Sequence, residues 1–197
     1  MKFIVGLTGP TGSGKSTACK AAKDLGFFVI DCDKTARKAT EDKNCLEALA
    51  TAFGKDILNS DGSLNRKALA EKAFSDRRST ELLNDTIFPF IMEILKREID
   101  GASQENILLD APTLFESGVD SLCNETCAIL ANSNVRLERI IKRDGIDEFA
   151  AKLRMSAGKN EEYYREKTKH ILYNNNNSEK ELYKEFSELL KSFMGGK

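Results

Sequence analysis

A glycine-rich octapeptide, Gly9-Pro10-Thr11-Gly12-Ser13-Gly14-Lys15-Ser16, follows the pattern G-x-x-x-x-G-K-S. Glycines in this spacing carry no Cβ, so successive backbone N–H groups can turn inward around a phosphate. A helix that starts at the end of the loop directs its positive terminus at the same anion. In such a P-loop Lys15 is the residue that reaches the β- and γ-phosphates, and Ser16 offers a hydroxyl to Mg²⁺. Both flanks fit. Phe3-Ile4-Val5-Gly6-Leu7 is an apolar run suited to a buried strand, and Ser16 to Leu25 is rich in Ala and Lys without Pro or Gly.

Two groups of carboxylates and one stripe of arginines add to this. Phe27-Phe28-Val29-Ile30 reads as a strand buried on both faces and ends in Asp31-Cys32-Asp33. In a parallel sheet, ligands bind beyond the carboxyl ends of the strands. Residues two apart in an extended segment point the same way, so Asp31 and Asp33 are expected to share a side. One carboxylate would take the proton of an attacking hydroxyl, and the other would orient Mg²⁺ waters or the acceptor. The plainer reading, compatible with the first, is that Asp33 caps a helix starting near Lys34. Asn106-Ile107-Leu108-Leu109-Asp110 is an apolar strand closed by an acid, the Walker B pattern, so Asp110 would hold Mg²⁺ directly or through water. Arg136, Arg139 and Arg143 fall at helical spacing on one face, and Leu137, Ile140 and Ile141 on another. That basic stripe is either a solvated face or a lid whose arginines close over a triphosphate.

The elements that must position these groups can be read around them. The chain has 197 residues, 41% hydrophobic and 31% charged, which suits one domain with a helical insertion. A net charge of −1 gives no global pull toward nucleic acid or an anionic membrane. No apolar stretch has the length of a membrane span. Five scattered cysteines argue against a disulfide framework and for the cytoplasm. His170 is the only histidine and is read as structural. Lys34 to Asp100 is helical almost throughout, with an Asp61-Gly62 turn and with Pro89 expected to kink or split the last helix near Phe88. Thr126 to Ala131 is a fourth strand beside the first, and Ile171 to Tyr173 a fifth. Asn174 to Asn177 is a turn, either a plain loop or one that contacts adenine. Ser178 and Glu181 form a capping box before a final helix, and Gly195 to Lys197 are expected to fray.

Taken together, the sequence resembles the dephospho-coenzyme A kinases, over nearly its whole length. The resemblance rests on Leu7-Thr8-Gly9 through Lys15-Ser16-Thr17, on Val29 to Asp33 with Ala36-Arg37, and on Asp61-Gly62-Ser63-Leu64-Asn65-Arg66 through Leu69 with Phe74. It continues in Leu109-Asp110-Ala111-Pro112 with Leu114-Phe115-Glu116, in Arg139 to Asp144, and in Asn174-Asn175. It implies an α/β fold: a three-layer P-loop kinase with a five-stranded parallel sheet in the order 2-3-1-4-5. Residues 34–104 would form a helical acceptor-binding insertion and about 136–165 a lid. It implies ATP and Mg²⁺, and phosphorylation of the ribose 3′-hydroxyl of dephospho-coenzyme A, the last step of coenzyme A synthesis. Asp33 would be the base. Lys15, Arg139 and Arg143 would act on the transferring group. Gly12, Ser13, Gly14, Lys15, Ser16, Thr17 and Asn175 would bind the nucleotide. Thr8, Asp31, Asp33, Arg37, Arg66, Leu114 and Glu116 would lie on the acceptor side, with Ser16 and Asp110 at the metal. No nucleic-acid or membrane partner is expected, and a monomer is favoured. Three positions depart from the family pattern: Phe88 before Pro89, Gly158, and Thr168-Lys169-His170. A nucleoside or nucleotide kinase is disfavoured by the Asp-Gly-x-Leu-x-Arg stretch, and a GTPase-like switch by the missing Asn-Lys-x-Asp motif.

Overall fold

The apolar run before the glycine loop forms β1 (Phe3–Thr8), whose last four residues are buried. The other strands are β2 (Phe28–Asp31), β3 (Asn106–Asp110), β4 (Glu125–Leu130) and β5 (His170–Tyr173). Together they make a parallel sheet in the order β2-β3-β1-β4-β5, as the resemblance implied. The helices among the described residues are α1 (Lys15–Asp24), α2 (Cys32–Ala39), α3 (Lys43–Phe53), α4 (Arg66–Ala73), α5 (Arg77–Gly101), α6 (Ser133–Asp144), α7 (Glu148–Ser156), α8 (Glu161–Lys167) and α9 (Glu179–Met194). This computed structural model describes residues 2–176 and 178–195. Asn177 of the asparagine turn, and Gly196 and Lys197 at the end, lie outside the described residues.

The chain divides into two compact units: one runs up to Ile30 and resumes at Ala102, and the other is Asp31–Gly101. In the first, the register sets Leu7 opposite Asp110 and Thr8 opposite Ala128. The glycine loop therefore leaves the sheet level with the acid that ends β3. Val5, Leu7, Ala18, Ala21 and Ala22 pack with Leu182, Phe186 and Leu190, so α1 and α9 cover this side of the sheet. Small residues on α1 let the helix lie close to the strands. Elsewhere Tyr164 of α8 packs against Ala128 and Leu130.

Gly9 shows how tightly the loop is seated. Its φ is +137°, and a Cβ there would stand 2.2 Å from the backbone carbonyl oxygen of Ile129. Neither the backbone angle nor the carbonyl can yield cheaply. Gly9→Ala is expected to lower stability by about 3 kcal/mol, combining overpacking with backbone strain. The urea midpoint measures it, and an unchanged midpoint would mean that the loop relocates freely.

The second unit is helical, built on Cys45, Leu49, Ile57, Leu69 and Ala73 with Phe53, Leu58, Leu64, Leu83, Ile87 and Phe90 around them. Its Asp61-Gly62 turn closes on an isolated antiparallel bridge between Leu58 and Leu64. Asp61 Oδ1 accepts from the Ser63 amide at 2.9 Å, and Gly62 has φ +82°. Asn65 Oδ1 caps α4 through the Ala68 amide at 3.1 Å. Much of the Asp-Gly-x-Leu-x-Arg stretch is thus a turn, a core leucine and a helix cap. Pro89 does not split its helix, since α5 runs unbroken through 25 residues.

Candidate active site

The phosphate loop begins with positive φ at Gly9, Gly12 and Gly14, the last of which is the residue before α1. Gly14, at the N-cap of α1, has no side chain with which to cap the first turn. The leading N–H groups of the helix are therefore turned to whatever lies beyond its end. Lys15 Nζ donates to the Gly9 carbonyl at 2.7 Å, so the ammonium lies across the loop. Ser13 is buried, and its Oγ has no hydrogen-bond partner. Ser16 is exposed and Thr17 half-buried.

The outer side of the loop is held by groups far along the chain. Arg136 Nε donates to the Thr11 carbonyl at 2.9 Å. One amino nitrogen of Arg139 donates to the Gly12 and Ser13 carbonyls, both at 3.3 Å. Asn174 Nδ2 donates to the Ser13 carbonyl at 2.8 Å. In a trans peptide the C=O of one residue and the N–H of the next point in opposite directions. Holding the Thr11 and Ser13 carbonyls outward therefore turns the Gly12 and Gly14 amides inward, while the Ser13 amide closes a turn on Pro10 at 3.2 Å. Burial of the two guanidinium groups lowers both from the ordinary arginine range.

Asp110 ends β3, and its Oδ2 accepts from the Cys19 thiol of α1 at 3.4 Å. Burial, then the Asp110 carboxylate, drives that thiol far above the ordinary cysteine range, so it stays protonated and able to donate. Arg143 does not share the partners of Arg136 and Arg139. Its Nε donates to Asp144 Oδ1 at 2.6 Å and an amino nitrogen to Oδ2 at 2.9 Å. Arg154 of α7 contacts the same carboxylate. The Arg143 hydrogen bond is the main cause that holds Asp144 at about 2. Glu116 is half-buried, with Lys159 Nζ at 3.9 Å. Burial, then the Glu116 carboxylate, raises the Tyr163 hydroxyl above its ordinary value.

In the second unit, Asp31 rather than Asp33 is the cap of α2. Asp31 Oδ1 accepts from the Lys34 amide at 3.0 Å, and Lys34 Nζ lies 3.3 Å from Oδ2. Helix begins at Cys32, so Asp33 sits in the first turn and the two acids do not share an extended segment. Asp33 and Arg37 are both exposed and four residues apart, so they neighbour each other on α2. Arg66 donates to Thr40 Oγ1 at 3.0 Å, and that hydroxyl donates to the Arg37 carbonyl at 2.7 Å. Arg66 is thereby held at the far end of the same helix.

A sequence model described as dephospho-CoA kinase matches residues 3–180. The chain belongs to the dephospho-CoA kinase family. A dephospho-CoA kinase from Fusobacterium nucleatum is 37% identical, covering 92% of this chain and 94% of that protein. One from Pseudoalteromonas translucida is 40% identical over 73% of this chain and 69% of its own. The solved dephospho-CoA kinase from Campylobacter jejuni superposes with a TM-score of 0.69 at 28% identity, covering 100% of this chain and 99% of its own. A Thermus thermophilus structure gives 0.79 at 29% identity, over 99% of this chain and 97% of its own. The fold alone is shared with a shikimate kinase from Acinetobacter baumannii, at 14% identity and a TM-score of 0.56 over 98% and 94% of the two chains. The chain is thus a kinase of the P-loop type that uses a nucleotide.

For a dephospho-CoA kinase, two residues expected on the acceptor side are placed otherwise. Thr8 is buried, and its hydroxyl donates to the Pro112 carbonyl at 3.2 Å. Leu114 is fully buried, with its methyl carbons where a Gly6 side chain would begin. Both hold the segment after β3 against β1 and offer no surface to a ligand. Asn175 binds the Asn132 amide through Oδ1 at 2.8 Å, while Asn174 reaches the loop. Arg136, Cys19, Asn174 and Arg154 are the groups missed among the candidates. Arg136 carried a signal as a member of the basic stripe and Asn174 as part of the asparagine turn, while Cys19 and Arg154 carried none.

Proposed function

We propose that the chain transfers the γ-phosphoryl group of ATP to the ribose 3′-hydroxyl of dephospho-coenzyme A, giving coenzyme A and ADP. The family assignment supports the substrate pair. The observation that carries the phosphoryl chemistry is the loop whose carbonyls are bound outward by Arg136, Arg139 and Asn174 at the uncapped start of α1. That arrangement presents N–H groups and Lys15 to the β- and γ-phosphates, with Gly12 to Thr17 as the nucleotide-binding run. Asp33 takes the proton from the attacking hydroxyl. Arg37 and Arg66 are assigned to the anionic part of the acceptor, and Glu116 is assigned to the acceptor as well. Arg143, in a lid of about 136–165, supplies charge to the transferring group.

Ser16 and Asp110 would hold Mg²⁺. A hydroxyl and a carboxylate are hard oxygen ligands, and this small donor set fits a cation that keeps waters and takes its other ligands from phosphates. When bound, the ion supplies charge neutralisation at the β- and γ-oxygens. The Cys19 thiol orients the Asp110 carboxylate from the side of α1. The reaction is placed in the cytoplasm, on the odd, scattered cysteines, and the enzyme is taken to act as a monomer.

The test is coupled ADP release with dephospho-coenzyme A, nucleosides and nucleoside monophosphates as acceptors. Turnover is expected with dephospho-coenzyme A, with the new phosphate at the ribose 3′ position. Turnover with nucleosides and none with dephospho-coenzyme A would overturn the reading.

A further inference from the structure

Asn174 stands immediately beyond β5, at the end of the sheet where the glycine loop leaves β1. It is buried, and each of its four polar groups has a partner. Its amide donates to the Leu130 carbonyl at 2.8 Å, extending the β4–β5 pairing by one step. Its carbonyl and its Oδ1 each accept from Arg139 at 3.0 Å. Its Nδ2 donates to the Ser13 carbonyl at 2.8 Å. These partners fix the orientation of the carboxamide. A guanidinium has no acceptor and a carbonyl has no donor, so the amide cannot be reversed without losing both bonds. The fit is close. A Cβ on Gly14 would meet Nδ2 at 2.3 Å, so the carboxamide occupies the space that glycine leaves open at the start of α1.

We infer that Asn174 is a positioning residue of the phosphate loop, locking the peptide between Ser13 and Gly14 so that the Gly14 amide faces the bound phosphate. The Ser13 carbonyl is the acceptor side of that peptide, and the Gly14 N–H points the opposite way. Without the Nδ2 donor the Ser13 carbonyl is left with the longer Arg139 bond at 3.3 Å, so the peptide is less firmly held, and a rotated peptide would put a carbonyl oxygen where an anion must sit. Asn174 thus couples the end of β5 to the loop, with Arg139 joining the two from α6. The role differs from that of an adenine-contacting turn, because its effect falls on the phosphates and leaves the base untouched.

Two substitutions separate these roles. Asn174→Asp keeps Oδ1 for Arg139 and replaces the donor with an oxygen facing the Ser13 carbonyl. Asn174→Ser withdraws the donor without adding charge. Each full-length variant is titrated calorimetrically with ADP and, by competition, with adenosine, alongside its thermal melt. The loss of the shorter of the two hydrogen bonds on the buried Ser13 carbonyl is expected to weaken ADP about tenfold in both variants. Adenosine affinity is expected to stay within about twofold of the parent, since no phosphate contact is lost. Unchanged ADP affinity in a folded variant overturns the inference. So does equal weakening of ADP and adenosine, which would make the turn a base contact. The inference uses the nucleotide-binding part of the proposed function, but neither titration contains the acceptor. A wrong acceptor assignment would appear as missing turnover and leave these affinities as expected. If Asn174→Asp does not fold, Asn174→Ser carries the same two outcomes.

Discussion

Asp33→Asn is expected to lower kcat by about 10² to 10⁴, the usual range for loss of a positioned general base. The substitution keeps size and shape while removing the negative charge and with it the ability to take a proton. The ribose hydroxyl then has to lose its proton to water as the phosphoryl group arrives. Asp33 lies in the first turn of α2 and is exposed, while the cap is supplied by Asp31. The helix therefore keeps its cap in the variant. The loss of one negative charge near its N-terminus costs about 0.3–1 kcal/mol, far less than the catalytic effect. ADP affinity is expected to remain within about twofold of the parent, because a base acting on the acceptor binds no nucleotide. Initial rates at saturating ATP and dephospho-coenzyme A, with ADP titrations on the same samples, check both parts. Loss of nucleotide binding would instead assign Asp33 to the nucleotide or the fold. A kcat within tenfold of the parent would remove it from proton transfer.

The separation of Asp31 from Asp33 also shows what could be read from residue types and what could not. The acids at the end of the second strand were legible, because an apolar run followed by Asp-Cys-Asp marks a strand end. Their division of work was not. It depends on whether the chain turns helical at Cys32 or near Lys34, and one hydrogen bond from the Lys34 amide decides it. The sheet order was legible only through the resemblance, since periodicity identifies strands without pairing them. The arginine stripe on α6 is a similar case. Helical spacing placed Arg136, Arg139 and Arg143 on one face, but spacing says nothing of what covers a face. Arg136 and Arg139 meet loop carbonyls more than a hundred residues earlier, and Arg143 turns to its neighbour Asp144. Cys19 carried no signal of its own, and Asn174 was marked only as part of the asparagine turn, with no link to the phosphate loop. An asparagine after a strand and a cysteine in an apolar helix are ordinary residues, and only tertiary contact with Ser13 and Asp110 gives them a role.

Lys15→Ala is expected to lower kcat/KM for ATP by about 10³ or more, in line with removal of a preorganised group that stabilises charge on a transferring phosphoryl. The ammonium now lies on the Gly9 carbonyl at 2.7 Å, inside the curve of the loop. That bond holds the side chain at the site and is weaker than the charge-assisted bonds a phosphate would offer. Phosphate binding therefore exchanges one oxygen partner for better ones and orders few new rotors. The native fold loses little in the variant. Lys15 is the first residue of α1, where alanine is a good helix former, and the bond to Gly9 that is removed is half-exposed. The thermal midpoint should consequently move by no more than a few degrees, about 1 kcal/mol for a chain of this size. Lys15→Arg is the sharper control. It keeps the charge, but a planar fork replaces a compact ammonium in a loop where Gly9, Gly12 and Gly14 leave no slack. Its rate should fall nearly as far as that of the alanine variant. If Lys15→Arg instead restored most of the activity, charge alone would suffice, and the close fit of the glycine loop around this residue would have no catalytic meaning.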